Sequence, residues 1–283
     1  NLDIYEDLSK HDNDKFEYVP NFSFSKIINS NNSFNSKGYY KNYNTNITEK
    51  VLINNFEFLS TPKFLNNGVI NENKLLVTNV NSSASNSKKF KNKNSFNLIP
   101  TFQTNYSYPL IKETNKSSNT LTPKLSIKLS TPHTKDIRNT DRKINYDNIY
   151  DLNRLGIDES NEGGISFTYG YEHSIVEKST SEEKMKFGFA NNLRFEENKD
   201  LPLNSNLGDK VSDFVGVFDY KPNQNFKFNY DFSLKNNLND VNYELYGFEF
   251  YLKNLKTKFE YQNENNSNLK TSYLTNETIF NFD

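Results

Sequence analysis

INYDNIYDLNRLGIDESNEGGISFTYGY, residues Ile144–Tyr171, changes character halfway along. Its second half alternates strictly. Ile165, Phe167, Tyr169 and Tyr171 share one parity, and Ser166, Thr168, Gly170 and Glu172 the other. A period of two over this length predicts a β-strand with two unlike faces. The first half is irregular and polar and passes through an Asn-Arg-Leu-Gly turn. A connection that spends so many residues where a tight turn would serve marks a functional segment or one privileged side of a β protein.

Outward from this stretch, the same strand pattern recurs and helical periodicity is nearly absent. Upstream, strands are predicted at 2–8, 16–28, 34–48, 51–60, 69–81, 96–108 and 121–130. Downstream, they are predicted at 164–176, 184–195, 212–220, 226–234, 243–252, 257–261 and 269–282. Alternation is sharpest in three of them. Met185, Phe187, Phe189, Leu193 and Phe195 oppose Lys184, Lys186, Asn192 and Arg194. Phe226, Phe228, Tyr230, Phe232 and Leu234 oppose Lys227, Asn229, Asp231 and Ser233. Leu125, Ile127 and Leu129 oppose Lys124, Ser126, Lys128 and Ser130. In 243–252 the aromatic parity switches, which a β-bulge near Leu245 would repair. Pro100 interrupts an otherwise convincing strand and calls for an edge, a bulge or a weak ladder position.

Composition sharpens the choice of solvent. Only 34% of the residues are hydrophobic and mean hydropathy is −0.85, yet the chain carries 24 Phe and 18 Tyr. A chain polar on average but rich in aromatics fits strands whose faces meet different media. The 34 basic and 35 acidic residues balance, which argues against a nucleic-acid partner. There is no Cys, so disulfides and thiolate metal sites are excluded within this segment. No apolar run reaches the length of a membrane helix. The chain opens in mid-pattern at NLDIYEDLS and stops inside an alternating run at TIFNFD, as an internal piece of a longer protein would.

Long and short connections alternate. Segments 82–94, 132–163 and 198–210 are long and polar, while 64–68, 112–119, 177–183 and 221–225 are shorter. An outer-membrane barrel has long loops outside the cell and short periplasmic turns. A soluble sandwich gives the same alternation along a strand but has no reason to segregate loop length. The expected fold is all-β: the wall of an antiparallel up-and-down membrane β-barrel. It would contribute about 14 strands of a larger barrel, as an open curved sheet when taken as a fragment. Residues 1–283 would be part of a single transmembrane domain. On this reading Phe167, Phe187, Phe189, Phe226, Phe228 and Phe232 face lipid.

Asn153, Arg154, Gly156, Asp158, Glu162 and Gly163 form the most distinctive polar cluster. Asp158, Glu159 and Glu162 invite a metal or acid/base reading. The plainer reading is a solvated loop in which Asn153 and Gly156 set the turn and Arg154 pairs with an acid. His11, His133 and His173 are the only histidines, and no nucleophile signature accompanies them, so catalysis is not expected. His173 reads as an interfacial residue. Lys88, Lys89, Lys91 and Lys93 make a basic loop, which suits plain solvation or contact with anionic headgroups. Tyr106, Tyr108, Tyr169, Tyr171 and Tyr220 suit an interfacial girdle or ordinary strand propensity. No cofactor signature is present.

The stretch NYDNIYDLNRLGIDESNEGGISFTYGYE resembles the LPS-assembly outer-membrane protein family, LptD. The family pattern falls on Asp147, Asn148, Ile149, Tyr150, Asn153, Arg154, Gly156, Asp158, Glu162, Gly164, Tyr169 and Gly170. IYEDLS at Ile4–Ser9, FEYVPNFSFSK at Phe16–Lys26, IPTFQTNYSYPL at Ile99–Leu110 and LTPKLSIKLSTPHTKD at Leu121–Asp136 also look like that family. After about Asn198 only the strand pattern supports it. The resemblance implies a very large outer-membrane barrel that receives lipopolysaccharide from a periplasmic bridge (LptA) and releases it sideways into the outer leaflet. It also implies a plug lipoprotein (LptE) in the lumen of many members, a docking jellyroll, and a lateral gate between the first and last strands. Jellyroll, gate strands and the family's cysteines are not found in this stretch, which reads as the middle of the wall. A general diffusion porin, or a soluble β-rich adhesin, is the competing expectation.

Overall fold

The computed structural model describes residues 2–6, 16–43, 46–87, 89–132, 135–266 and 269–281. His11, Lys88, His133, Phe282 and the Asp7–Ser9 end of IYEDLS lie outside the described residues. Sixteen strands are described: β1 (Leu2–Glu6), β2 (Phe16–Ile27), β3 (Asn32–Tyr43), β4 (Thr48–Leu59), β5 (Lys63–Phe64), β6 (Ile70–Ser85), β7 (Ser95–Ser107) and β8 (Leu110–Glu113) come first. β9 (Ser117–Ser130), β10 (Gly164–Glu177), β11 (Glu183–Arg194), β12 (Phe214–Asn223), β13 (Phe226–Leu234), β14 (Val241–Leu252), β15 (Leu255–Asn266) and β16 (Leu269–Phe280) follow. The only helical element among the described residues is a single 3-10 turn at Leu203–Ser205.

All fourteen expected strands are present. Two further short strands, β5 and β8, lie where the sequence predicts turns; β5 pairs with β6 and β8 with β9. Among the described residues the strand pairings are antiparallel and join strands that are neighbours in sequence or separated only by one of these short strands.

By contact the chain divides into two units. One comprises Asn1–Thr61, Asn73–Phe102 and Ile157–Asn161, the other Pro62–Glu72, Gln103–Gly156 and Glu162–Asp283. The first is built on β2, β3, β4 and the greater part of β6, with Val51, Ile53 and Val80 as its buried apolar centre and Tyr39 and Phe90 packed on it. The second carries β9–β16 and is the one that fixes the site.

In that second unit the register arranges side chains in rungs. Lys128, Ser166 and Arg194 are paired across β9, β10 and β11; the next rung inward is Ser126, Thr168 and Asn192. Then come Lys124, Gly170 and Ala190, and after them Thr122, Glu172 and Gly188. The opposite parity holds Leu129 with Ile165, Ile127 with Phe167 and Leu193, and Pro123 with Tyr171 and Phe189. The burial of the two faces is the reverse of a water-soluble sheet. Ser166 and Thr168 are 2% and 3% exposed, whereas Ile165 and Tyr169 are 42% and 37% exposed. In a soluble sandwich the apolar parity would be the covered one.

The uncovered face is a layer of rings. Tyr171 lies against Phe187 and Phe189, Phe189 stacks on Phe214, and Phe218 meets Phe228. Phe228 meets Phe248 at 5.0 Å between centroids, Phe226 meets Phe250, and Tyr230 stacks on both Phe232 and Tyr246. Phe187, Phe189, Phe226, Phe228 and Phe232 are therefore half-buried by one another rather than by a second layer. His173 belongs to this face, paired with Phe187 and Leu121.

The bulge expected near Leu245 is not there. Pairing runs unbroken from Tyr243 to Phe250 against β13, and the shift lies at Asn242, between the Ser233–Tyr243 and Leu234–Val241 pairs. Tyr243 and Leu245 simply belong to the covered face, where Lys143 sits over the Tyr243 ring. The parity switch in the sequence is a change of neighbour, not of register.

Candidate functional site: a connection folded onto the polar face

The connection 131–163 is where the structure departs most from a solvated loop. Ile144, Tyr146, Ile149, Leu152 and Leu155 recur about every three residues and are all buried. Successive turns produce that spacing. Asn145 and Asn148 cap each other, each backbone N–H donating to the other's Oδ1 at 2.9 Å. Ile149 N–H then donates to Asn145 O, Asp151 N–H to Asn148 O and Gly156 N–H to Asn153 O. Gly156 has φ +60° with open space around its missing Cβ, so backbone conformation alone requires glycine there.

The turns lay the chain along the polar rungs of β9, β10 and β11. Tyr146 covers Gly188, where any side chain would overlap its ring, and Tyr150 covers Gly170, whose Cβ would meet the Tyr150 hydroxyl at 2.6 Å. Tyr146 Oη donates to Glu172 Oε2 at 3.1 Å and to Tyr171 O at 3.3 Å. Lys124 Nζ, bonded to Glu172 at 2.9 Å, lies 5.7 and 5.8 Å from the Tyr146 and Tyr150 ring centroids. Lys186 approaches the Tyr146 ring to 5.7 Å. Burial pushes both phenols up from their ordinary values, with the Glu172 charge adding to it, so both stay neutral. From the Lys128 rung to the Thr122 rung the segment follows the wall for roughly 20 Å, six residues of strand.

At its upper end the segment closes on a buried charge cluster. Arg154 Nε donates to Glu162 Oε2 at 2.5 Å while Nη2 donates to Oε1, a two-pronged pair. Arg154 also donates to Ile149 O at 3.2 Å, Thr168 Oγ1 at 3.2 Å, Ser166 Oγ at 3.0 Å and Asn192 Oδ1 at 2.9 Å. Arg194 Nη1 donates to Glu162 Oε1 at 2.7 Å and Nη2 to Gly163 O. Lys128 Nζ lies 3.6 Å from Glu162 and donates to Asp151 O at 3.0 Å. Gly164, at φ +93°, lets the chain turn from this cluster into β10, and a Cβ there would press on Arg194 at 3.2 Å.

Burial alone would push the Glu162 carboxyl up. The charges of Arg154 and Lys128, the Arg154 hydrogen bond and the Arg194 charge outweigh it and hold the pKa at about 2. Glu162 is thus ionised at any physiological pH and neutralised by side chains from the connection, β9 and β11. A buried Arg–carboxylate pair contributes little beyond an apolar filling but is costly to break on one side. It therefore fixes one geometry rather than adding bulk stability.

The next long connection, 195–213, packs on the first. Ile137 N–H donates to Asp200 O and Leu203 N–H to Arg138 O, with Asn204 Nδ2 on Asp141 at 2.8 Å. Leu201 and Leu207 are buried. Asp213, at its end, accepts from Asn206 and Asn242 at 2.6 Å and Ser233 at 3.0 Å.

The sequence motif therefore splits into distinct roles. Arg154 does pair with an acid, Glu162, but buried and not in solvent. Asp158 and Glu159 do not join Glu162: within the first unit Asp158 pairs with Lys37, and Glu159 pairs with Lys89 at 2.6 Å. No metal-holding group of three or more His, Cys, Asp or Glu exists among the described residues. Tyr169 lies on the ring-covered face, Gly170 on the polar one. Asn153 is exposed and serves through its carbonyl, and Asp147 is exposed. Sequence reasoning placed Lys128, Asn192 and Arg194 on the polar parity but did not connect Asn192 to Arg154 or the two cations to Glu162; two cations on inward positions at one strand end were the available signal.

Two outcomes test the cluster in the full-length protein. Glu162→Gln and Arg154→Met should each lower unfolding stability by about 3–5 kcal/mol, while Asp147→Asn, at a family-motif position in solvent, should stay within about 0.5 kcal/mol. Urea unfolding in detergent measures all three, and similar costs for Asp147→Asn and Glu162→Gln would reject the cluster. The depressed Glu162 carboxyl gives stability that is complete above the ordinary value of 4.5 and lost as pH falls through about 2. Hydrogen-exchange protection across 154–163 should therefore hold from pH 7 to pH 5 and collapse towards pH 2.

The family comparison bears on this arrangement directly. The model of LPS transport system D, LptD, matches residues 5–283. No curated protein matches the chain. With nearly the whole length matched, the chain belongs to the LptD family, outer-membrane β-barrels that transport lipopolysaccharide into the outer membrane and catalyse no reaction.

Proposed function

We propose that residues 1–283 are part of a single transmembrane barrel domain in which the ring-covered face meets lipid and the connection 131–163 lines and narrows the lumen. The observation that carries this reading is the inversion of burial. Ser166, Thr168 and Asn192 are covered, while Ile165, Tyr169 and Tyr171 are exposed. Lipid is the medium in which an exposed aromatic layer is the low-energy choice, and a wet lumen accepts the opposite parity. Phe167, Phe187, Phe189, Phe226, Phe228 and Phe232 are then the lipid-facing set. Of the motif, Arg154, Gly156, Glu162, Gly164 and Gly170 seat the connection, with Asn153 closing a turn through its carbonyl, whereas Asp158 pairs with Lys37 in the first unit and Tyr169 lies on the ring-covered face.

Lipopolysaccharide is the cargo of the family. The plug lipoprotein (LptE) and the periplasmic bridge (LptA) are its expected partners by family membership. The wall's part in transport is passive: a dry outside, a polar inside that tolerates a sugar-rich head, and connections that close the top. A diffusion porin with the same strands is the competing reading. The inward connection disfavours it, because a segment following the wall for about 20 Å obstructs free passage.

Phe228→Arg should destabilise the complete barrel by roughly 2–4 kcal/mol at mid-membrane, and Asn229→Arg, on the lumen side, only mildly. Equal costs in a detergent unfolding series would mean the faces are reversed. Depletion of the full-length protein should leave newly made lipopolysaccharide inside the cell. Normal surface delivery after depletion, together with steady conductance of the purified protein in planar bilayers, would instead establish the porin.

A further inference from the structure

The first unit has a feature that the transport reading does not use. On the face of β2, β3, β4 and β6 that carries Phe22, Gly38 and Leu52 in register, a depression of about 940 Å³ opens, with Tyr39 and Val51 also among the residues that line it. Register defines its floor and walls. Phe22, Gly38, Leu52 and Asn81 form one rung, and Tyr40, Lys50 and Ser83 the next. The Phe22 ring lies over Gly38, where a Cβ would meet it at 2.6 Å, and Ser83 is the small residue of the next rung. Phe22, Leu52 and Phe96 border it and are exposed.

The depression is polar at one end only. Lys50, Tyr40 and Ser83 lie nearer the 44–47 and 86–94 connections than Leu52, Gly38 and Asn81 do. Lys50 is exposed, with its ammonium 5.5 Å from the Tyr40 ring centroid. Asn94, the last residue of the 86–94 connection, lines the same end, and that connection carries the exposed Lys91 and Lys93. An apolar trough with the Lys50 ammonium at one end fits an amphiphile whose acyl chain lies along the strands and whose anionic head sits at that end. The cationic end belongs to the rim with the longer connections, which in outer-membrane barrels is the extracellular one.

We propose that this depression is a binding site on the barrel's outer surface for lipopolysaccharide of the outer leaflet, held by a phosphate at Lys50 and by acyl chain against Phe22, Leu52 and Phe96. It rests on the membrane-facing reading above and concerns lipid already outside the lumen. Charge complementarity selects an anionic lipid, and the position at the extracellular rim selects the leaflet.

The test uses the full-length protein with its lipoprotein partner, carrying a photoreactive phenylalanine analogue at Phe96, in vesicles of phosphatidylcholine doped with lipopolysaccharide. Light should attach lipopolysaccharide at that position. Labelling should fall about fivefold in Lys50→Gln, recover in Lys50→Arg, and be unchanged by Lys26→Gln at the other end of β2. Phosphate-stripped lipopolysaccharide and phosphatidylglycerol should both label weakly. Inserted protein whose labelling ignores Lys50, or which takes phosphatidylglycerol as readily, would overturn the site and leave the barrel reading standing. Protein that does not insert at all would overturn both.

Discussion

The Glu162 carboxylate, out of water and met by Arg154, Arg194 and Lys128, is the interaction on which the rest of the second unit depends. Lys128 and Arg194 arrive from β9 and β11 on the rung that Ser166 completes, so the cluster requires that strand register. Arg154 and Glu162 come from the connection. Neither partner could be buried alone, since an ion out of water without its counter-ion is strongly disfavoured. Wall and connection are consequently folded as one object, with the polar rungs receiving hydrogen bonds that lipid could not offer.

The two faces of the strands follow from the same requirement. On one, Ser126, Ser166, Thr168 and Asn192 are covered by a polypeptide able to bond with them. On the other, rings meet rings from β10 to β14 and remain exposed or half-buried. Apolar burial is thus confined to the covered side, at Val215, Val217 and the connection residues Ile144, Ile149, Leu201 and Leu207. What needs to be fixed is polar, and hydrogen bonding and ion pairing fix it.

Much of this was legible in the sequence. Period-two patterning located every long strand, because a strand between two unlike media must alternate. The FTYGYE run announced its faces, and the Asn-Arg-Leu-Gly text marked its connection as special. The inward fold of that connection was not legible. Its buried residues, Ile144, Tyr146, Ile149, Leu152 and Leu155, are diluted among Asn and Asp and follow turns rather than a strand or helix period. The partners of Glu162 on β9 and β11, Lys128 and Arg194, lie tens of residues away in sequence and are brought to it only by register. The switch near Leu245 misled for a related reason. It records Tyr243 turning towards Lys143, a tertiary neighbour that no local pattern carries.

Gly170 and Gly188 have a consequence for descent as well as for packing. Gly188 is a vacancy shaped for the Tyr146 ring, and Gly170 is held open both by the β11 backbone at Phe189 O and by the Tyr150 hydroxyl. A foreign connection grafted between β9 and β10 would leave Gly188 and Gly170 uncovered, and a side chain gained at Gly188 would evict Tyr146, while one at Gly170 would overlap the β11 backbone as well as Tyr150. Residues 144–194 should therefore be inherited, exchanged and engineered as a block, and chimaeras cut inside it should fail where those cut outside it assemble.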